Sequence, residues 1–412
     1  MRRRIVILAF LPLAALLALL AVHARWLFTA TKDPRFVRFM RRHDRRPNVE
    51  KMLPPHGVAV DARGEWLDVA EPGSTFQHVL DDLSLERGGE AVALTIDARL
   101  QNRAVALMKG RVGAVVALDP STGRILALVS SPRAAYLNRA LNGLYPPGST
   151  FKVFMGAAAL SAGYEPVFDC PAEGWRPSRG TAPIRDVEAY DAIRRGRTWK
   201  GFGKIGMGQA LTHSSNTYFA QLGAGFGTER FADAVSAARL RDGAKVLASK
   251  TSAMESAGGG VPEGLSSAAL APVAIGQGAL HLTPLGVALF TAAVANDGLM
   301  LEPTLDPRAK PVLRARPFTF AAAARMKTMM RAAVRSGTGK ACDVAGLDVC
   351  GKTGTAQTER GRDHSWFTCF APEKTPRIVV TVVVEHGGFG ASAALPVARS
   401  VLIEAEKSGC LR

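Results

Sequence analysis

Two β-rich regions separated by a long helix-rich one constrain this chain more than any other feature. Gly113 to Leu118 and Arg124 to Val129 flank the turn-forming string Asp119-Pro120-Ser121-Thr122-Gly123, so they read as a hairpin. A short strand, Ala91 to Ile96, and a helix from about Ala98 to Lys109 precede it. An alanine-rich, helix-rich stretch follows from about Ser149 to Arg335. Strands return at Leu347 to Thr355, Ser365 to Phe370 and Arg377 to Glu385, and a last helix runs from about Leu395 to Lys407. Strands at both ends of a domain with helices between imply an α+β sheet whose outer parts meet in space. No internal repeat of structural period is visible.

The apolar share of 47% and charged share of 21% fit a globular chain long enough for a sizeable core. The formal charge of +17, from 52 basic and 35 acidic residues, favours acidic partners. Zinc-ligand spacing, a phosphate-cradling glycine loop and an aromatic-basic nucleic-acid signature are all absent, so neither a metal nor nucleic acid is expected. Much of the excess lies near the start. Arg2, Arg3 and Arg4 precede an apolar run from Ile5 to Val22, just long enough to span hydrocarbon. The arginines stay in the cytoplasm and send the rest outward. Val22 and Ala24 would also suit a signal-peptide cleavage site, and either reading leaves the body of the protein outside the cytoplasm. Arg35, Arg38, Arg41, Arg42, Arg45 and Arg46 then read either as a juxtamembrane segment lying on anionic headgroups or as a solvated linker. Residues 47 to 90 show little periodic pattern and read as a small linker region. The expected division is a tail over 1–4, an anchor over 5–22, a basic linker over 23–90 and one catalytic-sized domain over 91–412. Cys342 and Cys350 could close a short disulfide loop in an oxidising compartment or remain separate thiols.

Three short elements carry chemistry. Ser149 opens a predicted helix after Pro146-Pro147-Gly148, and Lys152 lies one turn on, on the same face. A serine hydroxyl is a weak nucleophile until a base takes its proton, and a lysine is a base only when neutral. Burial against neighbours such as Phe151 and Phe154 would lower the lysine pKa. Glu71-Pro72-Gly73-Ser74-Thr75-Phe76-Gln77 nearly repeats this string, but Gln77 replaces the lysine, so Ser74 reads as structural. The second element, Ser214-Ser215-Asn216, offers a hydroxyl for proton transfer and an amide to clamp a substrate carbonyl; alone it would read as a helix cap. The third, Lys352-Thr353-Gly354-Thr355, closes a predicted strand. Lys352 brings positive charge for a carboxylate, Gly354 lets a backbone approach the edge, and the Thr355 N–H can join that of Ser149 as an oxyanion donor.

In this order and spacing the three elements form a serine acyltransferase set. From about Ala91 onward the chain resembles the transpeptidase domain of class B penicillin-binding proteins. Leu94-Thr95-Ile96-Asp97, Ile275-Gly276-Gln277-Gly278, Leu282-Thr283-Pro284 and His364-Ser365-Trp366-Phe367 support the resemblance. It implies the penicillin-binding/serine β-lactamase-like fold: a mainly antiparallel five-stranded sheet flanked by helices, an all-helical subdomain and one N-terminal membrane helix. It also implies that Ser149 is acylated, that Lys152 is its base and that Ser214 and Asn216 assist. Lys352 with Thr353 or Thr355 would hold a terminal carboxylate. The reaction expected is D,D-transpeptidation between peptidoglycan stem peptides, with no cofactor. Residues 23–90 leave little room for the family's pedestal, so pairing with a membrane glycan polymerase is disfavoured. Rival readings are a D,D-carboxypeptidase, a class D-like β-lactamase, and a receptor that binds β-lactams or wall peptides without turnover. Ser149-Thr150-Phe151-Lys152 matches the string of a class D β-lactamase, but the chain lacks a Glu-x-x-x-Asn string and Asn216 stands where class D enzymes carry an aliphatic residue.

Overall fold

A computed structural model of the protein describes residues 59–61, 63–67, 75–86, 91–132, 137–358 and 361–411. The proposed anchor, the basic segment after it and Ser74 lie outside them. Among the described residues no helix is long and apolar enough to cross a membrane.

The expected sheet is present. Its strands are β1 (Gly113–Leu118), β2 (Ile125–Ser131), β3 (Cys350–Ala356), β4 (His364–Ala371) and β5 (Ile378–Val384). They lie in the order β3-β4-β5-β1-β2, every pair antiparallel. The junction between the two ends of the chain is β5 on β1, with Val382 opposite Val115. β5 is a run of valines around one threonine, buried along its whole length. That composition suits a central strand covered on both faces, which has no polar side to present.

Alternation along the strands sorts the core into two layers. Val115, Ala117, Val380 and Val382 face helices α1 (Ala98–Met108) and α8 (Ala394–Lys407). Ala114, Val116, Val379 and Val383 face the opposite layer. That layer holds α2 (Phe151–Ser161), α3 (Met207–His213), α4 (Asn216–Phe226), α5 (Ser267–Ala274), α6 (Pro284–Ala295) and α7 (Phe320–Arg335). α6 is buried on every side, as expected for a helix apolar all round. Thr283 caps it by accepting from the Gly286 N–H, and Pro284 supplies the fixed φ of a first turn. Its Thr291 hydroxyl reaches the sheet through Thr368, 2.9 Å away, which meets Thr381 at 2.8 Å.

Phe290 of α6 packs against Phe151 and Phe154 of α2, with ring centroids 6.3 and 6.0 Å apart. It is fully buried, so Phe290→Ala is expected to cost about 3–5 kcal/mol in urea unfolding. A cost under about 1 kcal/mol would mean that this contact does not support the start of α2.

Three expectations need correction. The middle region is not all helical: it carries hairpins pairing Phe168–Cys170 with Gly203–Ile205, Lys245–Ala248 with Ala253–Glu255, and Met300–Leu301 with Leu313–Ala315. Strands this short span too few residues for a period to show in sequence. Residues 75–86, read as linker, form a helix whose Val79, Leu80 and Leu83 are buried. Asp82 ties it to the 245–255 hairpin by accepting from the Ser252 and Thr251 hydroxyls at 2.7 and 2.9 Å. The first strand is also shorter than expected, Val92–Ala93, and pairs in parallel with Ala59–Val60.

Candidate active site

Ser149 sits in a single 3₁₀ turn, Gly148–Thr150, that feeds α2. The turn is pressed between two segments. A Cβ on Gly148 would lie 2.5 Å from the Thr355 carbonyl oxygen, and Gly148 has φ +53°, so only glycine fits there. Behind it the Gly148 N–H donates to the Gly276 carbonyl at 2.9 Å. The nucleophile candidate is therefore fixed against the outer edge of β3.

Lys152 lies one turn into α2 and is fully buried. Its ammonium donates to the Ser214 carbonyl at 2.6 Å and to the Asn216 Oδ1 at 2.7 Å, with the Ser214 hydroxyl at 3.4 Å. The Phe219 ring lies 5.7 Å from its nitrogen. Burial lowers its pKa to about 7, against partial opposition from Asp186 and Glu188. The expected depression thus arises, with Phe219 as the aromatic neighbour, while Phe151 and Phe154 stack on each other.

Lys352 approaches the same hydroxyl from β3. Its nitrogen is 2.8 Å from the Ser214 Oγ and 2.9 Å from the Thr353 carbonyl. It too is fully buried, and burial with repulsion from Lys152 holds its pKa well below the usual lysine value. Two amines meeting at one hydroxyl can relay a proton between them.

The Ser-x-Asn element spans the junction of two helices. Ser214 caps α3 in the left-handed region, φ 60°, and Asn216 opens α4. Asn216 donates its Nδ2 to the Arg185 carbonyl at 3.0 Å. That bond decides which way the amide points, so its oxygen faces Lys152.

Thr353, Gly354 and Thr355 lie on β3, the edge strand. The Gln277 Nε2 donates to the Thr355 carbonyl at 3.3 Å, so that carbonyl points away from β4. In an extended strand the N–H of a residue points to the same side as its C=O, and the Thr355 N–H therefore faces the open edge beside Ser149. Gly354 serves a different need from the one expected. A Cβ there would meet Thr150 Cγ2 at 2.8 Å and Trp366 Cβ at 2.9 Å, so packing of the nucleophile turn takes up the space that the sequence reading gave to substrate.

Hydrogen bonds join Lys152, Ser214, Asn216, Lys352 and Thr353, and the turn that carries Ser149 packs on Gly354 and Thr355 of β3. Other residues escaped the sequence reading. Thr338 places its hydroxyl 2.6 Å from that of Thr353, and its Ser336-Gly337-Thr338-Gly339 string reads only as a turn. Asp186 accepts from the Asn216 and Thr217 N–H groups but looks like a helix cap in sequence. Cys342 and Cys350 are free thiols, both buried. Among the described residues no group of three His, Cys, Asp or Glu side chains could hold a metal.

Residues 113–403 match the penicillin binding protein transpeptidase domain. A relative from Mycolicibacterium smegmatis, named peptidoglycan D,D-transpeptidase PbpA, is 31% identical over 78% of this chain and 74% of its own. The Haemophilus influenzae protein named peptidoglycan D,D-transpeptidase MrdA is 31% identical over 76% of this chain, which spans 56% of that longer protein. Among solved structures, penicillin-binding protein A from M. tuberculosis, as a ceftriaxone acyl-enzyme complex, superposes with a TM-score of 0.71 at 25% identity, covering 85% of this chain and 98% of that one. The fold is that of the serine acyltransferases. Within them, the chain belongs to the penicillin-binding protein transpeptidase family.

Proposed function

We propose that this protein is a peptidoglycan D,D-transpeptidase working through an acyl-enzyme on Ser149. The observation that carries the reading is the buried Lys152 amine, which has no carboxylate within hydrogen-bonding reach and donates only to Ser214 and Asn216 among the described residues. Such an amine can be neutral near pH 7 and take the Ser149 proton as the hydroxyl attacks the D-Ala–D-Ala carbonyl. The N–H groups of Ser149 and Thr355 receive the developing oxyanion. Lys352 and Thr353 hold the terminal carboxylate. A proton returns through Ser214 to the departing D-alanine amine, and a neighbouring stem-peptide amine then takes the acyl group.

In the same reading, residues 5–22 anchor the chain in the inner membrane and residues 91–412 work on the outer side. The three arginines before the apolar run support this orientation. The Lys152–Asn216 contact of 2.7 Å supports transpeptidation over a class D-like β-lactamase, which lacks the amide at that place.

The test is intact mass after mixing the protein with benzylpenicillin. A stable single adduct on Ser149, absent from Ser149→Ala, is expected. Rapid loss of the antibiotic without an adduct would mean a β-lactamase. Neither adduct nor loss would mean a binding protein without turnover. Equal labelling of Ser149→Ala would remove Ser149 as nucleophile.

A further inference from the structure

Asn216 can serve Lys152 only if its amide oxygen stays turned toward the amine, and a free amide at a helix start would turn toward whatever donor or acceptor is nearest. What prevents this is a short segment just before the helix Val187–Arg194. The Arg185 carbonyl takes the Asn216 Nδ2 at 3.0 Å. The next residue, Asp186, is 1% exposed. One of its oxygens accepts from the backbone N–H groups of Asn216 and, at 3.0 Å, Thr217; the other accepts from the Ser215 hydroxyl at 3.2 Å. The Ser215 oxygen in turn accepts from the Tyr218 N–H at 3.1 Å. The free N–H groups at the start of α4 thus close on one buried carboxylate, where the helix dipole favours negative charge.

We propose that Asp186 is a positioning residue for acylation, holding Asn216 so that its amide oxygen stays on the Lys152 amine. This rests on the Ser149–Lys152 reading above. The carboxylate does not touch Lys152; it acts through the backbone of residues 215–217. It adds a second influence by charge, since a buried anion near Lys152 favours the ammonium form. The other charged groups facing Lys152 are Glu188, which acts in the same direction, and Lys352, which repels. His213 faces Glu188 and favours its carboxylate form. Asp186 therefore fixes where the base sits and raises the pH above which it works.

Two substitutions separate these effects. Asp186→Asn keeps the size and removes the charge. Asp186→Glu keeps the charge and shifts the oxygens by a methylene. The readout is the benzylpenicillin acylation rate of the full-length protein against pH, normalised to the fraction that labels. For Asp186→Asn, the midpoint of the acid limb is expected to fall by about one pH unit. For Asp186→Glu, the midpoint should hold while the plateau drops about 10- to 100-fold, the scale of a misplaced catalytic group. Asp191→Asn on the next helix, which among the described residues pairs with Arg194 and Arg195 at the surface, should match wild type in both respects. If Asp186→Asn fails to fold, the plateau of Asp186→Glu decides alone. A wild-type plateau in Asp186→Glu, or a wild-type acid limb in a folded Asp186→Asn, would overturn the proposal. Absence of labelling in wild type would instead sink the Ser149–Lys152 reading.

Discussion

Lys152→Met is expected to slow benzylpenicillin acylation of Ser149 by a factor of about 10²–10⁴, the usual worth of a general base. Methionine matches the lysine stem in length and apolar character, so the helix packing around it should persist. In the wild type the same amine sets the pH dependence. With a pKa lowered to about 7, Lys152 is protonated and unable to accept below that pH, and neutral above it. Acylation should therefore climb as pH rises through about 7 and then level, and the acid limb should vanish in Lys152→Met. A fluorescent penicillin followed over time at several pH values measures both. An unchanged rate in the variant would remove Lys152 as the base.

The second large effect comes from a residue with no functional group. A Cβ on Gly276 would stand 1.9 Å from the Gly148 carbonyl oxygen, and its φ of +80° is one that L side chains rarely adopt. Gly276→Ala must therefore push away the turn that carries Ser149 and break the bond from the Gly148 N–H. A displacement near 1 Å is expected to lower acylation about 100-fold. Gly278→Ala is the comparison, because its φ is similar at +74° while the nearest atom, in Pro272, is 3.9 Å away. It bears only the backbone cost of about 1–2 kcal/mol and should acylate normally. Circular dichroism separates loss of folding from loss of geometry. Equal rates for the two variants would show that the contact with Gly148 does not govern the nucleophile.

The outline of the fold was legible from β-branched runs, the turn string at 119–123 and the helix-rich stretch between the two strand regions, since β1 and β5 are buried along their whole length and show no alternation. Strands at both ends of the domain implied that the outer parts of one sheet meet, but not that β5 is the strand that pairs with β1. The helix at 75–86 was missed: Val79, Leu80 and Leu83 carry too short a pattern between flanking Pro and Gly residues to stand out from a linker. At the site, Ser149, Lys152, Ser214, Asn216 and Lys352 stood out because their chemistry and order recur together. Asp186 and Thr338 act by holding backbone and hydroxyl groups of residues distant in the chain. A residue that works through tertiary contact leaves no spacing to read, and so Asp186 looks like any helix cap. Gly354 was read for the right property, its missing side chain, but sequence could not say what fills the gap.

Ser214 occupies the left-handed region with φ 60°, a conformation that costs a residue bearing a Cβ about 1–2 kcal/mol relative to glycine. Its hydroxyl and carbonyl are nonetheless where both amines meet. A chain optimised for durability alone would put glycine there and gain the difference. The local instability is thus an investment in turnover, and the search for hardier variants of this enzyme should leave that one position alone.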